Sequence, residues 1–348
     1  MKSRQAYSSL FNSVSKQKSN ARRKINVGGI VKLSSCRLID PYQYERSELR
    51  ESCQRQNLLR RNKHSFRSFT KGTSSQSIKG DVDNTLQEVL LEHCHESDIV
   101  TLTFNRAQRA NAMGRVMLSQ LQDILKELSG PRGNKIRCVI LTSCNPKVFS
   151  AGADLKERST MSREEASTFV SSLRDCFYEL GHLPMPLIAC IEGAAMGGGL
   201  EIAMTADIII CGDKARLGLP ETSLAIIPGA GGTQLLPRLV GEARAKELIF
   251  SARKLDAKTA ESYGIVQHVT PEGEAYTRAK EIALEVARNG PLAVRAAKMA
   301  IAEGMDCSKL EDGMKVERKW YEAVIPTDDR LEGLAAFKER RVPEYEGK

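Results

Sequence analysis

The chain has 348 residues, of which 41% are apolar and 27% are charged, a composition that is ordinary for a globular protein. No apolar run approaches the roughly 20 residues that a membrane-spanning helix needs, so we expect no transmembrane segment. The nine cysteines are scattered without a CxxC pair. This spacing disfavours a zinc site and a disulfide framework, and we predict no metal.

The net charge of +9 is concentrated in the first part of the chain. Residues 1–80 contain 18 Lys/Arg and 4 Asp/Glu, whereas the remainder contains 34 and 39. The first 24 residues hold seven Lys/Arg, six serines and no acidic residue, which is typical of an organellar transit peptide. Residues 65–70 resemble a mitochondrial processing site. We therefore predict that residues 1–80 are a transit peptide or disordered basic tail, and that the protein is localised to the mitochondrial matrix.

Two other interpretations of the basic segment stay open. A basic arm that binds nucleic acid would have the same charge, but few aromatic residues interleave with the charges and the rest of the chain is mildly acidic, so nucleic-acid binding is disfavoured. A start codon placed too far upstream would also produce this mixed composition.

The predicted elements of the body begin near residue 85. Residues 99–104 alternate and are rich in β-forming residues, which predicts a strand, and residues 112–128 carry apolar side chains at helical spacing. Residues 138–142 form a second predicted strand. Ser162 and Glu165 make a capping box, which predicts that a helix starts there.

The middle of the chain predicts buried strands separated by a glycine turn. Residues 186–191 and 207–211 are continuous apolar runs, typical of strands buried on both faces, and residues 197–204 read as a turn that enters a helix. Alternating strands and helices predict an α/β core, over residues 85–275. Beyond residue 232 the only predicted strand is 266–269. Helices are predicted near 233–249, 256–263, 272–289, 291–304, 308–323 and 328–340, and residues 276–348 are predicted to form a helical lobe or oligomerisation layer.

Two glycine-containing turns follow predicted strands. Residues 149–156 and 191–201 combine small residues, which let the backbone approach a ligand closely, with a predicted helix start that points N–H groups outward. The first turn alone could be a routine βα turn, and the second does not match a dinucleotide-binding or P-loop spacing. The two turns together could supply one backbone N–H group each to an oxyanion hole.

Two glutamates stand among glycine and apolar residues. Glu201 closes a GGGLE segment, and Glu221 follows Gly218-Leu219-Pro220 and precedes a second glycine-rich run. A carboxylate in apolar surroundings has a raised pKa and is costly unless it is paired, protonated or used. The pair therefore indicates acid/base chemistry on a polarised carbonyl, although either glutamate alone is more often a cap or a surface residue.

The body resembles the crotonase (enoyl-CoA hydratase/isomerase) superfamily from about residue 99 to residue 345. The segments that carry the likeness occur in family order and spacing: residues 105–112, 149–157, 197–201, 220–234 and 329–341. Within the superfamily the chain resembles plant-type mitochondrial enoyl-CoA hydratases and methylglutaconyl-CoA hydratases. The resemblance implies a spiral of ββα repeats with a C-terminal helical oligomerisation lobe, assembled as a homotrimer or homohexamer.

The resemblance also implies an activity and roles for residues. The N–H groups of Ala153 and Gly198 would form the oxyanion hole, Glu201 would activate water, and Glu221 would deliver a proton to Cα of a 2-enoyl-CoA. Coenzyme A enters as part of the substrate, and no cofactor is expected. The implied substrate and CoA contacts are Ala151, Ala153, Asp154, Leu155, Lys156, Gly198, Arg109, Phe337 and Lys338.

Within the resemblance, three alternatives to a general 2-enoyl-CoA hydratase stay open. Enoyl-CoA isomerases typically keep only the counterpart of Glu221, so the presence of both glutamates favours hydration. Methylglutaconyl-CoA hydration in leucine breakdown is a second candidate, and the acyl group is not determined by these motifs. An RNA-binding role on the same scaffold is disfavoured, because the stretch 112–128 offers only Arg115 and Lys126 as cations.

Overall fold

The computed structural model describes residues 87–95 and 97–348. The predicted transit peptide and processing segment lie outside these residues. Within the described part of the chain, no helix is both long and apolar enough to cross a bilayer. No group of three or more His, Cys, Asp or Glu residues there could hold a metal ion.

Ten strands in the described residues form two sheets. In chain order they are β1 (Val89–Cys94), β2 (Ile99–Phe104), β3 (Cys138–Ser143), β4 (Val148–Ser150), β5 (Leu187–Ile191), β6 (Ala194–Met196), β7 (Ile208–Gly212), β8 (Arg216–Gly218), β9 (Lys254–Asp256) and β10 (His268–Thr270). The larger sheet has the order β1-β2-β3-β5-β7-β10 and the smaller one the order β4-β6-β8-β9. All neighbours are parallel except the pairs β1–β2 and β8–β9, which are antiparallel.

Eleven α-helices accompany these strands in the described residues. They are α1 (Arg115–Ser129), α2 (Leu155–Arg158), α3 (Arg163–Gly181), α4 (Gly198–Ala203), α5 (Gly232–Val240), α6 (Glu242–Phe250), α7 (Ala257–Ser262), α8 (Ala275–Ala287), α9 (Pro291–Met305), α10 (Leu310–Val324) and α11 (Asp328–Glu339). A capping box between Ser162 and Glu165 starts α3, which confirms the predicted helix start.

The chain order of strands produces a repeating unit. β3, β5 and β7 enter the larger sheet, and each is followed at once by a short strand of the smaller sheet, β4, β6 or β8, before the chain becomes helical. Each turn therefore adds one strand to each sheet. This pattern confirms the predicted α/β spiral of ββα repeats.

Both faces of the larger sheet are buried. One face carries side chains such as Leu102 and Leu141 into the main apolar core, and the other packs residues such as Ile140 and Ile188 against α8. The long continuous apolar runs follow from this arrangement, because alternate side chains on both faces are removed from water.

The C-terminal helices α9, α10 and α11 leave many large apolar side chains exposed. Ile301, Met305, Leu310, Tyr321 and Phe337 are each more than half exposed. An exposed apolar surface of this kind is typical of an interaction site. The predicted oligomerisation, and the predicted division between residues 85–275 and 276–348, stay predictions.

Three expectations about secondary structure were wrong. The helix expected over 233–249 is two helices, because Gly241 has φ 84° and so cannot continue the helix. The strand expected over 266–269 begins two residues later and ends one residue later, at β10. The six-residue strand β1 and the three-residue strands β4, β6, β8 and β9 were not predicted.

Candidate active site

A cleft of about 760 Å³ opens at one edge of the smaller sheet. Because β4, β6 and β8 are adjacent and parallel, their carboxyl ends face the same edge, which is where α/β proteins commonly bind ligands. The segments that follow these strands form the cleft wall: residues 151–153, 197–198 and 220–221, joined by residues 224–231.

Asn111 fixes the first of these segments. Its side chain is fully buried; its Nδ2 donates to Ser143 Oγ at 2.7 Å and to the Phe149 carbonyl at 3.0 Å. Its Oδ1 accepts from the Arg106 N–H at 2.8 Å, and its carbonyl accepts from Ser150 Oγ at 2.8 Å. The turn after β4 is thus tied to the segment around Asn111 by hydrogen bonds inside the core.

We expect Asn111→Ala to lower the free energy of unfolding by about 2–4 kcal/mol, because buried partners lose their hydrogen bonds and alanine disfavours left-handed backbone. Asn111 has φ 51°. Asn111→Gly, which tolerates that conformation, is expected to lose only about 1–3 kcal/mol. Urea unfolding of both variants measures this, and wild-type stability in both would contradict the role of Asn111.

The backbone N–H groups of Ala153 and Gly198 lie close together in the cleft. A Cβ added to Gly198 would lie 3.7 Å from the Ala153 nitrogen, and a Cβ added to Gly152 would lie 3.0 Å from the Gly198 nitrogen. Neither N–H group donates a hydrogen bond to an acceptor in residues 87–95 and 97–348. The two turns therefore present adjacent N–H donors to the cleft, as an oxyanion hole requires.

Glu201 lies on α4 and is 3% exposed. Its Oε1 accepts from the N–H groups of Ala230 and Gly232 at 2.9 and 2.8 Å, and its Oε2 would be 3.9 Å from a Cβ on Gly198. Burial raises the pKa of Glu201, while the two backbone hydrogen bonds and the charge of Arg174 act in the opposite direction. One oxygen is thus held by the glycine-rich loop, and the other lies beside the paired N–H groups.

Glu221 begins a short 3-10 helix directly after β8. Its Oε1 lies 2.9 Å from the position of a Cβ on Gly197, so only glycine leaves room for this carboxylate. Its Oε2 is buried and makes no hydrogen bond with any described residue. Burial raises the pKa of Glu221 to about 7, and the negative charge of Glu201 adds to this increase.

The raised pKa of Glu221 predicts a pH-dependent stability. The unfolded side chain has a pKa of about 4.3 and the folded one a pKa of about 7, so the folded state holds the proton more tightly between these values. The contribution is therefore complete below about pH 4 and is lost as the pH rises through about 7. We expect Glu221→Gln to gain thermal stability relative to the wild type at about pH 8 and to lose this advantage near pH 5. A constant difference in melting temperature across that range would contradict this.

The structure brings most of the predicted site residues to the cleft, but not all. Ala151, Ala153, Leu155, Gly198, Glu201 and Glu221 line it. Asp154 is buried, with its carboxylate capping α2 and paired with Arg106 at 2.9 Å. Lys156, Arg109, Phe337 and Lys338 are exposed and are not among the lining residues, so their contacts with coenzyme A stay predictions.

Two charged residues that line the cleft were not predicted from the sequence. Arg158 ends α2 and Arg174 lies on α3, and both reach the cleft. A usable signal for Arg174 was its helical spacing from Val170 and Leu173, with which it shares one face of α3.

The fold and the cleft define a class of enzyme in which an α/β spiral places paired N–H donors and two carboxylates in one cleft. The enoyl-CoA hydratase/isomerase family matches residues 95–348. The chain is 48% identical over 252 residues to a probable mitochondrial enoyl-CoA hydratase 2 of Arabidopsis thaliana, covering 72% of this chain and 83% of that one. It is 45% identical over 269 residues to a human mitochondrial methylglutaconyl-CoA hydratase, covering 76% and 78%.

Solved structures agree with this assignment. A crystal structure of an enoyl-CoA hydratase from Bacillus anthracis superposes with a TM-score of 0.72 at 45% identity, covering 75% of this chain and all of that one. The chain therefore belongs to the enoyl-CoA hydratase/isomerase family, the crotonase family, and is an enzyme of that family.

Proposed function

We propose that this enzyme adds water across the 2,3-double bond of a 2-enoyl-CoA and releases a 3-hydroxyacyl-CoA. The observation that carries the proposal is the placement of Glu201 and Glu221 on one cleft, beside the N–H groups of Ala153 and Gly198. Several similar proteins, including those of Arabidopsis and human, are named as hydratases.

The proposed reaction uses each group once. The thioester oxygen accepts hydrogen bonds from the N–H groups of Ala153 and Gly198, which stabilise the negative charge that develops there. Glu201 takes a proton from water as the hydroxyl oxygen bonds to Cβ, and Glu221 gives its proton to Cα. The proton gained by Glu201 must then return to Glu221, so the enzyme is unchanged after each turnover.

The environments of the two carboxylates support different roles. Glu221 has a pKa raised to about 7, so near neutral pH it can hold the proton that an acid must donate. Burial also raises the pKa of Glu201, but two backbone N–H groups and Arg174 favour its ionised form. Because the two groups influence one another, their protons leave as a coupled pair.

The presence of both glutamates supports hydration over double-bond migration. Moving a double bond needs a proton removed from one carbon and one returned to another, which a single carboxylate can do, whereas hydration also needs activated water. The purified full-length protein is expected to convert a 2-enoyl-CoA to the 3-hydroxyacyl-CoA much faster than it isomerises a 3-enoyl-CoA. The reverse preference would contradict the proposal.

The cellular setting of the proposal is the mitochondrial matrix, in fatty-acid or branched-chain amino-acid breakdown. Relatives named as mitochondrial and the basic, serine-rich start of the chain support this. The exposed apolar side chains on α9, α10 and α11 support assembly into an oligomer, and the resemblance to the superfamily implies a homotrimer or homohexamer.

A further inference from the structure

Two arginines lie in the cleft that holds the proposed catalytic glutamates. Arg158 and Arg174 are the cationic side chains among the lining residues, and Glu201 and Glu221 are the acidic ones. Most of the remaining wall is apolar or glycine.

Arg158 is half-buried, and its guanidinium makes no ion pair or hydrogen bond with any residue in 87–95 or 97–348. The nearby carboxylates differ in this respect, since Asp154, which caps α2, is paired with Arg106, and Glu157 lies 3.8 Å from Arg115. A guanidinium has five N–H donors and stays charged at all relevant pH values. The described protein residues supply no acceptor for these donors, so they are available to a ligand.

Arg174 lies close to the reacting end of the cleft. Its Nε donates to the Gly229 carbonyl at 3.0 Å, and the next residue, Ala230, donates its N–H to Glu201. One hydrogen bond therefore fixes the Arg174 side chain beside the loop that holds Glu201, and leaves its terminal nitrogens for a ligand.

We propose that Arg158 and Arg174 bind a carboxylate at the far end of the acyl chain, so that the preferred substrate is a 2-enoyl-CoA whose acyl group ends in a carboxylate. This rests on the proposed hydratase function. The planar fork of arginine matches a carboxylate with two parallel hydrogen bonds. A neutral acyl chain of the same length offers no acceptor to the half-buried Arg158 or to the terminal nitrogens of the exposed Arg174.

The phosphates of coenzyme A are the other source of negative charge in such a substrate. They are separated from the thioester by the whole pantetheine arm, whereas Arg174 lies beside the loop that binds Glu201. For Arg174 the geometry therefore favours the acyl carboxylate, and for Arg158 the two sources are distinguished by their different consequences. A phosphate contact would serve every acyl-CoA equally, whereas a carboxylate contact serves only acidic acyl groups.

The test compares two substrates of equal chain length, 4-carboxybut-2-enoyl-CoA and pent-2-enoyl-CoA, with the purified full-length protein. We expect the wild-type kcat/KM to favour the carboxylated substrate by about 10- to 100-fold, the effect of charge-assisted hydrogen bonds. Arg158→Met is expected to remove most of that ratio. Arg174→Gln provides a second variant if Arg158→Met folds poorly, which a melting temperature reveals.

Arg163→Met is the matched control. Arg163 is an exposed arginine at the start of α3 and is not a lining residue, so the same loss of charge there is expected to leave the ratio and the activity unchanged. Three results would overturn the inference. The first is a wild-type preference for the neutral substrate, and the second is an unaltered ratio of the two kcat/KM values in both cleft variants. The third is an equal loss of kcat/KM for both substrates in Arg158→Met, which points to a phosphate contact. If the wild type hydrates neither substrate, the proposed function itself fails, and the inference fails with it.

Discussion

Replacing either Glu201 or Glu221 with glutamine is expected to lower kcat for enoyl-CoA hydration about 10²–10⁴-fold, the usual contribution of a general acid or base. Glutamine keeps the size of the side chain and an oxygen acceptor but cannot take up or release the proton. At position 201 the amide oxygen can still accept from the N–H groups of Ala230 and Gly232, so the fold is expected to survive.

Glu192 offers a matched control for Glu201. Its carboxylate also accepts from two backbone N–H groups, those of Gly273 and Ala275, at 3.0 and 2.8 Å, but it is not a lining residue of the cleft. Glu192→Gln is therefore expected to keep the wild-type kcat. Steady-state hydration of a short 2-enoyl-CoA, with circular dichroism for the fold, measures all three variants. Activity close to wild type in Glu201→Gln or Glu221→Gln would contradict the assigned roles.

Gly152→Ala is expected to lower kcat by about 10²–10³-fold, the effect of losing an oxyanion-hole donor. The added Cβ would lie 2.7 Å from the Met196 carbonyl and 3.0 Å from the Gly198 nitrogen, which are distances that require the backbone to move. The two segments that would separate are those carrying the N–H groups of Ala153 and Gly198. A small displacement here misaligns both donors with the thioester oxygen.

Gly241→Ala separates this steric effect from backbone strain. Gly152 and Gly241 have nearly equal φ values, 87° and 84°, but a Cβ at Gly241 would meet nothing within 4 Å. Both substitutions therefore carry a left-handed strain of about 1–2 kcal/mol, and only Gly152→Ala disturbs the cleft. Equal kcat values for the two variants would show that the approach of the two turns does not matter for catalysis.

The sequence was informative where a pattern repeats over many residues. Strand β2 was predictable from its alternating, β-forming residues, strands β3, β5 and β7 from their apolar runs, and α3 from its capping box. The strands of the smaller sheet are three residues long, too short for a period to be visible. Their existence depends on pairing with neighbours that lie far away in the chain.

The candidate site, like the fold, could be predicted in part from the sequence. Glu201 and Glu221 stand out because a carboxylate among glycine and apolar neighbours is costly unless it is paired, protonated or used. The adjacent turns predicted the N–H donors. Arg158 could not be placed from local sequence, because its approach to the cleft depends on tertiary packing, whereas Arg174 shares a helical face with Val170 and Leu173 and so had a usable signal. Arg109, Phe337 and Lys338 entered through resemblance alone, and the structure places them outside the cleft lining.

The most direct test of the central claim is hydration of a 2-enoyl-CoA by the purified full-length protein in deuterated water, followed by mass spectrometry and NMR. We predict a 3-hydroxyacyl-CoA that carries one deuterium at Cα, delivered by Glu221, and formation of this product is expected to collapse in Glu201→Gln and Glu221→Gln. Recovery of unreacted 2-enoyl-CoA from the wild type, or equal product from all three proteins, would contradict the proposal that these two glutamates add water to an enoyl thioester.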